Sequence, residues 1–257
     1  MSALKAIQAV RSGRIDATRV RAVVRKEITD YRRNRFVLIT MTVLPIVFLV
    51  NPIVNIFTAP TGVSRTALDA RVGSTMLFLL LVPVILPATI SATSIVTERE
   101  QGTLEPVLTT PVRSEELLIG KALAALIPAV GIAYTMLGIF LLMVKLFAHQ
   151  QIADVALEGP RILAQILFVP LLAGWAIWAG LAVSVRANDV RVAQQLGTLA
   201  SLPPLAITAL MAFNVITPTF QVALLFAVGL LLLDVWAYRL IAPLFVRERL
   251  ITARRSK

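Results

Sequence analysis

Few side chains in this sequence could carry out catalysis, and most of them stand in one short charged stretch. The chain has no cysteine and a single histidine, His149, which excludes disulfides, thiol nucleophiles and cysteine metal sites. Two carboxylate pairs, Glu98 with Glu100 and Glu115 with Glu116, are spaced closely enough for general acid–base chemistry. That chemistry needs carboxylates that converge on a substrate pocket. Both pairs instead fall at the ends of predicted helices, where the helix dipole and solubility already explain acidic residues.

The usual phosphate-binding loop is missing from the sequence. Gly120-Lys121 has the order of that loop's last residues, but no glycine precedes it at the required spacing and Ala122 follows it. We therefore expect that the chain is not an enzyme and that it binds neither a metal nor a cofactor.

The composition is that of a membrane protein. Hydrophobic residues make up 58% and charged residues 15% of the chain, against about 45–50% and about 25% in soluble domains. The net charge of +11 could indicate nucleic-acid binding. The basic residues flank apolar runs, however, so we expect a lipid bilayer and no nucleic acid as the partner.

Continuous apolar runs predict an all-α polytopic membrane protein with six transmembrane helices, because lipid-exposed backbone must satisfy its hydrogen bonds internally. A β-barrel is excluded, since it needs alternating strands of about ten residues. The transmembrane domain is expected at 36–243, with spans at about 36–57, 73–97, 119–144, 161–185, 196–213 and 220–243.

The two ends of the chain are basic and are expected to be cytoplasmic. Residues 1–35 predict an amphipathic helix that begins near Asp16 and lies in the membrane interface, and residues 244–257 form a basic tail. If the six spans are correct, 21 of the 25 Lys and Arg residues fall on the side of the termini. The positive-inside rule therefore predicts a multi-pass protein of the cell membrane with both termini in the cytoplasm.

The stretch between the second and third spans predicts a short amphipathic helix at the cytoplasmic surface. Gly102 allows a change of direction, Thr103 can cap a helix, and Pro111 ends it. Ser114 is expected to cap the third span. An ordinary charged connector explains the polarity, whereas a helix that docks on another protein also explains the apolar face of Leu104, Val107 and Leu108.

The stretch EREQGTLEPVLTTPVRSEELLIGK, residues 98–121, resembles the signature between spans two and three of the permeases of type-2 ABC exporters. Residues 186–197, the basic N-terminal segment and the C-terminal FVRERLI resemble further parts of the same family. The short link at 214–219 departs from it, since many relatives carry re-entrant external helices there.

This resemblance implies a mechanism in which the cytoplasmic helix is a coupling helix. It would dock on a separate ABC-type ATPase subunit, present in two copies, which binds ATP and Mg. A second permease half, as a homodimer or heterodimer, would complete the exporter, which works by alternating access. The residues expected to couple to the ATPase are Glu98, Glu100, Gly102, Thr103, Leu104, Glu105, Val107, Leu108 and Pro111.

Polar and aromatic side chains within the spans are candidates for a substrate path or gate: Asn51, Asn55, Trp175, Trp178 and Asp234. Packing or hydrogen bonding to a neighbouring helix is the alternative for each. For Asp234 the structural alternative is a pair with Arg239 or a hydrogen bond to Tyr238. At the level of the whole protein, the alternatives are a secondary transporter without an ATPase, a lipid-modifying membrane enzyme and an assembly scaffold.

Overall fold

The computed structural model describes residues 15–60, 64–103 and 112–245. It contains eight α-helices in that part of the chain, and no strand. The helices are α1 (Ala17–Arg33), α2 (Arg35–Phe57), α3 (Arg65–Glu100), α4 (Ser114–Phe147), α5 (Gln150–Ala156), α6 (Gly159–Arg186), α7 (Val190–Ala212) and α8 (Phe220–Ile241), followed by a 3-10 turn at Ala242–Phe245. The predicted all-α fold is confirmed.

Six of these helices, α2, α3, α4, α6, α7 and α8, are long and apolar enough to cross a membrane. Helix α3 begins eight residues before the expected second span, and α4 begins five residues before the expected third span. The polar residues there continue the helices beyond the apolar run. Helix α5 was not expected, because seven residues carry too little periodicity to identify a helix.

Local side-chain chemistry sets several helix ends. The carboxylate of Asp16 accepts a hydrogen bond from the Thr18 amide and caps α1, as the sequence predicts. Helix α3 ends at a Schellman motif: the Thr103 amide donates to the Glu98 carbonyl at 2.9 Å and the Gly102 amide to the Arg99 carbonyl at 3.2 Å. Gly102 has φ +69°, which favours glycine.

The start of α4 differs from the prediction, because Arg113 and not Ser114 occupies the N-cap position. The Arg113 amide donates a hydrogen bond to Glu116 Oε2 at 2.9 Å. The side chain of Glu116, three residues into the first turn, thus satisfies the amide at the cap position, as in a capping box.

Helix α3 lies at the centre of the bundle and packs closely on α6 and α7. A Cβ atom at Gly180 of α6 would lie 2.8 Å from the Ala88 carbonyl oxygen, and one at Gly197 of α7 would lie 2.6 Å from the Ala92 Cβ. Both glycines therefore permit backbones to approach closely, as small residues do in membrane helix pairs.

Helix α1 does not stand apart from the bundle. Its buried residues Val20 and Val23 pack against α4, where a Cβ atom at Gly120 would lie only 2.5 Å from Val23 Cγ1. We call the end of the bundle where α1, the end of α3 and the start of α4 meet the basic end. The apolar face of α1, from which the sequence predicts a helix in the membrane interface, thus packs largely against α4.

Candidate functional site

A cluster of ion pairs joins three helices at the basic end. Lys121 of α4 places its ammonium 2.9 Å from Glu27 Oε1 of α1 and 3.0 Å from Glu98 Oε2 of α3. It also donates to the hydroxyl of Ser94, on α3, at 2.9 Å. Lys26 closes the cluster with contacts of 2.6 Å to Glu98 and 3.1 Å to Glu27. We call these residues, Lys26, Glu27, Ser94, Glu98 and Lys121, the Lys121 cluster.

Lys121, Glu27 and Glu98 are buried, Lys26 covers them from the exposed side, and the charges of the cluster compensate one another. The side chain of Lys121 is 1% exposed and that of Glu27 is 6% exposed. Burial alone would raise the pKa of Glu27, but Lys121 and Lys26 together hold that pKa below its ordinary value. Burial likewise would lower the pKa of Lys26, but Glu27 and Glu98 raise it overall. Both shifts favour the charged forms of Glu27 and Lys26 at neutral pH.

A second buried carboxylate, Glu116, fastens the other end of α1. Its Oε1 accepts a hydrogen bond from the Asp16 amide at 3.0 Å, and Oε2 lies 3.6 Å from the Arg19 guanidinium. The same carboxylate caps α4 through the Arg113 amide. Glu116 therefore ties the first turn of α1 to the first turn of α4.

The end of α3 is also bound to the corner between α6 and α7. The guanidinium of Arg99 donates to the carbonyl oxygens of Val185 at 3.0 Å and Ala187 at 3.1 Å, where α6 ends. A cation there also interacts favourably with the negative end of the helix dipole. Next along the chain, Asp189 caps α7.

These contacts surround residues 104–111 on both sides. Glu98, Arg99 and Thr103 precede that stretch, and Arg113, Glu116 and Lys121 follow it, while α1 contacts both flanks. A polar cleft of about 580 Å³ lies beside the Lys121 cluster, between α1, the start of α2 and the end of α3. Helices α1, α3 and α4 are therefore fastened together on both sides of this stretch. In the described part of the chain, no group of three His, Asp or Glu residues could hold a metal ion.

Among the residues expected to couple to a partner, the structure places Glu98 in the Lys121 cluster and Glu100 exposed at the last position of α3. Gly102 and Thr103 form the Schellman turn, and the Thr103 hydroxyl donates to the Glu98 carbonyl at 3.3 Å. Leu104, Glu105, Val107, Leu108 and Pro111 lie outside the described residues.

The two candidate asparagines of α2 are placed at the opposite end of the bundle. The amide of Asn55 donates to Thr75 Oγ1 at 3.0 Å, and its carbonyl groups accept from Arg71 Nε at 2.7 and 2.9 Å. Asn55 thus joins α2 to α3. Asn51 is exposed on the bundle surface.

The other three candidates lie together on α6 and α8. The indole of Trp175 donates to the Ala200 carbonyl of α7 at 3.1 Å. Trp178 meets Tyr238 edge to face, with ring centroids 5.5 Å apart. Asp234 lies against Gly174 of α6 and not in a pair with Arg239 or Tyr238, which corrects the structural alternative considered for it.

Sequence reasoning missed the roles of Glu27, Glu116 and Lys121. Glu27 occupies the same helical face as Val20, Val23 and Tyr31, so its position predicts a buried acid that needs a cation. Lys121 lies at the edge of an apolar run, where a buried cation needs an anionic partner. The sequence separation of 94 residues leaves no local signal for this pairing.

The comparison with known families matches residues 18–208 to the model described as ABC-2 type transporter, which covers nearly all of α1, four whole spans and most of α7. A comparison with curated proteins finds no match. With a match over most of its length and six helices able to span a membrane, the chain belongs to the membrane family of ABC-2 type transporters and is a multi-pass permease.

Proposed function

We propose that this chain is the permease subunit of an ABC exporter driven by a separate ATPase. A second permease half completes the transport path, and substrate leaves the cytoplasm or the inner leaflet by alternating access. The basic end, with both termini, faces the cytoplasm, in keeping with the positive-inside rule.

The observation that carries this proposal is the ion-paired junction around residues 104–111. Both flanks of this stretch are bonded to α1 through buried charges: Glu98 pairs with Lys26, Lys121 pairs with Glu27, and Glu116 accepts from the Asp16 amide. An ordinary connector needs no such attachment. A segment that receives force from another protein does, because separating a buried ion pair leaves uncompensated charge, which is costly.

In the proposed mechanism, ATP closes the two ATPase subunits and displaces the loop. The Lys121 cluster passes that displacement to α1, α3 and α4, and Arg99 passes it to the corner between α6 and α7. Because α3 is the central helix of the bundle, its movement alters the packing of α6 and α7 around it. The spans then switch between inward-open and outward-open states.

The test is co-purification with the candidate ATPase in lipid. The parent chain is compared with the double variant Leu104→Arg/Leu108→Arg, and Arg21→Glu on the exposed face of α1 is the control for a change of surface charge. We expect the parent and the control to retain the ATPase and the double variant to lose it, since buried apolar anchors dominate most interfaces.

Retention of the ATPase by the double variant would show that residues 104–111 are only a connector. Absence of any ATPase from the parent complex would favour a secondary transporter instead. The folded state of each variant is checked by its elution volume and thermal unfolding before the comparison is made.

A further inference from the structure

Two adjacent prolines, Pro203 and Pro204, lie in the interior of α7, which continues beyond them to Ala212. A proline has no amide hydrogen, so Pro204 cannot donate to the carbonyl of Ala200, four residues earlier. In the apolar part of a membrane no water replaces the missing donor, and an unbonded carbonyl is costly. The carbonyl of Ala200 therefore needs a donor from outside α7.

The indole of Trp175, on the neighbouring helix α6, supplies that donor. Its Nε1–H group donates to the Ala200 carbonyl oxygen at 3.1 Å. An indole has a single N–H group and no acceptor, so this bond uses its whole hydrogen-bonding capacity. The polar atom of Trp175 is thus bonded to the carbonyl that Pro204 frees, and the bond joins one helix to the next.

The same arrangement occurs a second time, on α6. Pro170 frees the carbonyl of Ile166, and the Tyr134 hydroxyl of α4 donates to that carbonyl oxygen at 2.8 Å. In both places an aromatic donor on one helix replaces the bond that a proline removes from another. Because the donor meets the freed carbonyl in both helices, each bond compensates for its proline and is not an incidental contact.

The outer half of α6 is fastened to α3. We call the end of the bundle opposite the basic end the outer end; α6 begins there and α7 ends there. Arg161 of α6 pairs with Asp69 of α3 at 2.7 Å, and Gln165 donates to the Met76 carbonyl at 3.0 Å. Both side chains are buried, and both residues precede Pro170. Movement of α6 about Pro170 would therefore break buried polar contacts.

The outer half of α7, residues 205–212, is held differently. Its one polar side chain, Thr208, donates to the Leu205 carbonyl of the same helix at 2.7 Å, so within the described part of the chain no side chain of this half is hydrogen bonded to another helix. The carbonyl of Ala212 rests against Gly73 of α3, where a Cβ atom would overlap it. A cavity of about 40 Å³ remains between this half, α3 and α6. The outer half of α7 can therefore move without separating a polar pair.

We propose that Pro204 is a hinge in α7 and that the indole of Trp175 is the clasp that holds it closed. While Trp175 bonds the Ala200 carbonyl, the outer half of α7 lies against α3, as in this structure. When that bond breaks, α7 lacks a backbone bond at Pro204 and its outer half swings about this position. As a step of transport this rests on the proposed function, because it makes α7 the helix that opens the outer end. As a property of the chain it does not.

The experiment measures the position of the outer half of α7 by double electron–electron resonance in phosphatidylcholine nanodiscs. Leu210→Cys on that half and Leu142→Cys on α4, both exposed, carry the spin labels in a chain that has no cysteine of its own. Labelled chain is diluted with the same variant lacking both cysteines, so that distances within one chain dominate. No ATPase takes part in this measurement.

We expect the parent to give one main distance, for the closed hinge, and a minor population at a different distance. Trp175→Phe keeps an aromatic ring but removes the N–H group. It should enlarge the minor population about threefold, the factor that an average hydrogen bond between membrane helices supplies. Pro204→Ala restores an amide that can bond the Ala200 carbonyl within α7. In that background Trp175→Phe should change nothing, because the indole bond is no longer needed.

The matched control is Trp178→Phe, which removes the same group three residues further along α6. The indole of Trp178 meets Tyr238 edge to face and bonds no carbonyl in the described part of the chain. This variant should therefore give the parent distribution. The cycle of parent, two single variants and Trp175→Phe/Pro204→Ala cancels the packing that the smaller ring loses and leaves the coupling between the indole and the proline.

The proposal is overturned if Trp175→Phe gives the parent distribution or if Trp178→Phe changes it equally. It is also overturned if the change persists in Trp175→Phe/Pro204→Ala, since the indole would then act by packing and not through the freed carbonyl. Thermal unfolding shows whether each chain is folded. If Trp175→Phe alone does not fold, recovery by Pro204→Ala supports the clasp and failure to recover opposes it. Either result leaves the co-purification test of the proposed function unaffected, and that test leaves this one unaffected.

Discussion

At the scale of single residues, Lys121 shows how a charge is tolerated near the membrane. Its ammonium donates hydrogen bonds to Glu27 Oε1 and the Ser94 hydroxyl, both at 2.9 Å, and lies 3.0 Å from Glu98 Oε2 in an ion pair. Its charge is therefore compensated although the side chain is almost completely buried. Removing it leaves two carboxylates close together with only Lys26 to balance them.

We expect Lys121→Met to destabilise the protein by about 3–5 kcal/mol, because breaking a buried pair leaves uncompensated charge. The matched control is Lys145→Met, which removes an exposed lysine from the same helix and should change stability by less than about 0.5 kcal/mol. Chemical unfolding of the purified chain in mixed micelles, followed by circular dichroism, measures both. Equal midpoints for the two variants would mean that the cluster contributes nothing to stability.

The Lys121 cluster shows which features of a site can be predicted from the sequence and which cannot. The presence of an acid on the apolar face of α1 could be predicted, because Glu27 follows Val20 and Val23 at helical spacing. The identity of its partner could not, since it depends on how α1 packs on α4. Likewise, Glu98 could be identified as part of a coupling stretch from its resemblance to a family, whereas its contacts with two lysines required the three-dimensional arrangement.

At the scale of elements, the docking of α1 depends on charge and should respond to pH. The pKa of Glu27 is lowered in the folded state, so its contribution to stability is present above the ordinary value of 4.5 and is lost as pH falls through the folded pKa. The pKa of Lys26 is raised, so its contribution is present below 10.5 and is lost only at higher pH. Lys26 and Lys121 contact Glu27 directly, and Glu98 and Asp30 contact those lysines in turn.

We therefore expect the protection of α1 amides from hydrogen exchange to be constant between about pH 5 and pH 9 and to fall below about pH 4.5, after correction for intrinsic rates. In Glu27→Gln the fall below pH 4.5 should be smaller, because a major titrating group is gone. A fall of the same size in Glu27→Gln would assign the acid transition to other carboxylates.

The fit of α1 on α4 makes a second element-scale prediction, from two glycines of the same helix. A Cβ atom at Gly120 would lie 2.5 Å from Val23 Cγ1, whereas one at Gly131 would meet nothing within 4 Å. Gly120→Ala should displace α1 and lower stability by about 1–3 kcal/mol, as overpacking does. Gly131→Ala should be neutral or stabilising by up to about 1 kcal/mol, since alanine favours helices. Unfolding midpoints measure both, and a neutral Gly120→Ala would mean that α1 is loosely packed.

The helices themselves were largely predictable, and the exceptions have physical causes. Hydropathy identifies the six spans because each must bury its backbone polar groups in a helix. It does not locate the ends of α3 and α4, where helix continues through polar residues held by Glu116 and the Schellman turn at Gly102. Glu116, and not Ser114, provides the cap of α4, and the same carboxylate also accepts a hydrogen bond from the Asp16 amide.

At the scale of the whole molecule, the bundle is organised around α3. Helices α6 and α7 pack on its length, and α1 and α4 are joined to its end by the Lys121 cluster, while α2 and α8 expose many apolar side chains at the surface of the bundle. One helix, α3, therefore connects the Lys121 cluster at the basic end with α6 and α7. The exposed faces of α2 and α8 are available to lipid or to the second permease half of the proposed exporter.

If the Lys121 cluster transmits the movement of the loop, then α1 and the start of α4 must move as one body during the ATP cycle. The chain has no cysteine, so Arg25→Cys on α1 and Glu115→Cys on α4, both exposed, give a unique pair of spin labels. In the complex with its ATPase, we expect the same distance distribution between the labels in the nucleotide-free state and after trapping with ATP and vanadate. Inhibition of ATP hydrolysis verifies the trapping.

In the Lys121→Met background the buried charges no longer hold the helices together, so the trapped state should give a longer or broader distribution. A shift of the distance in the parent itself would show that α1 moves independently of α4, and the proposed path of force through the cluster would then be wrong.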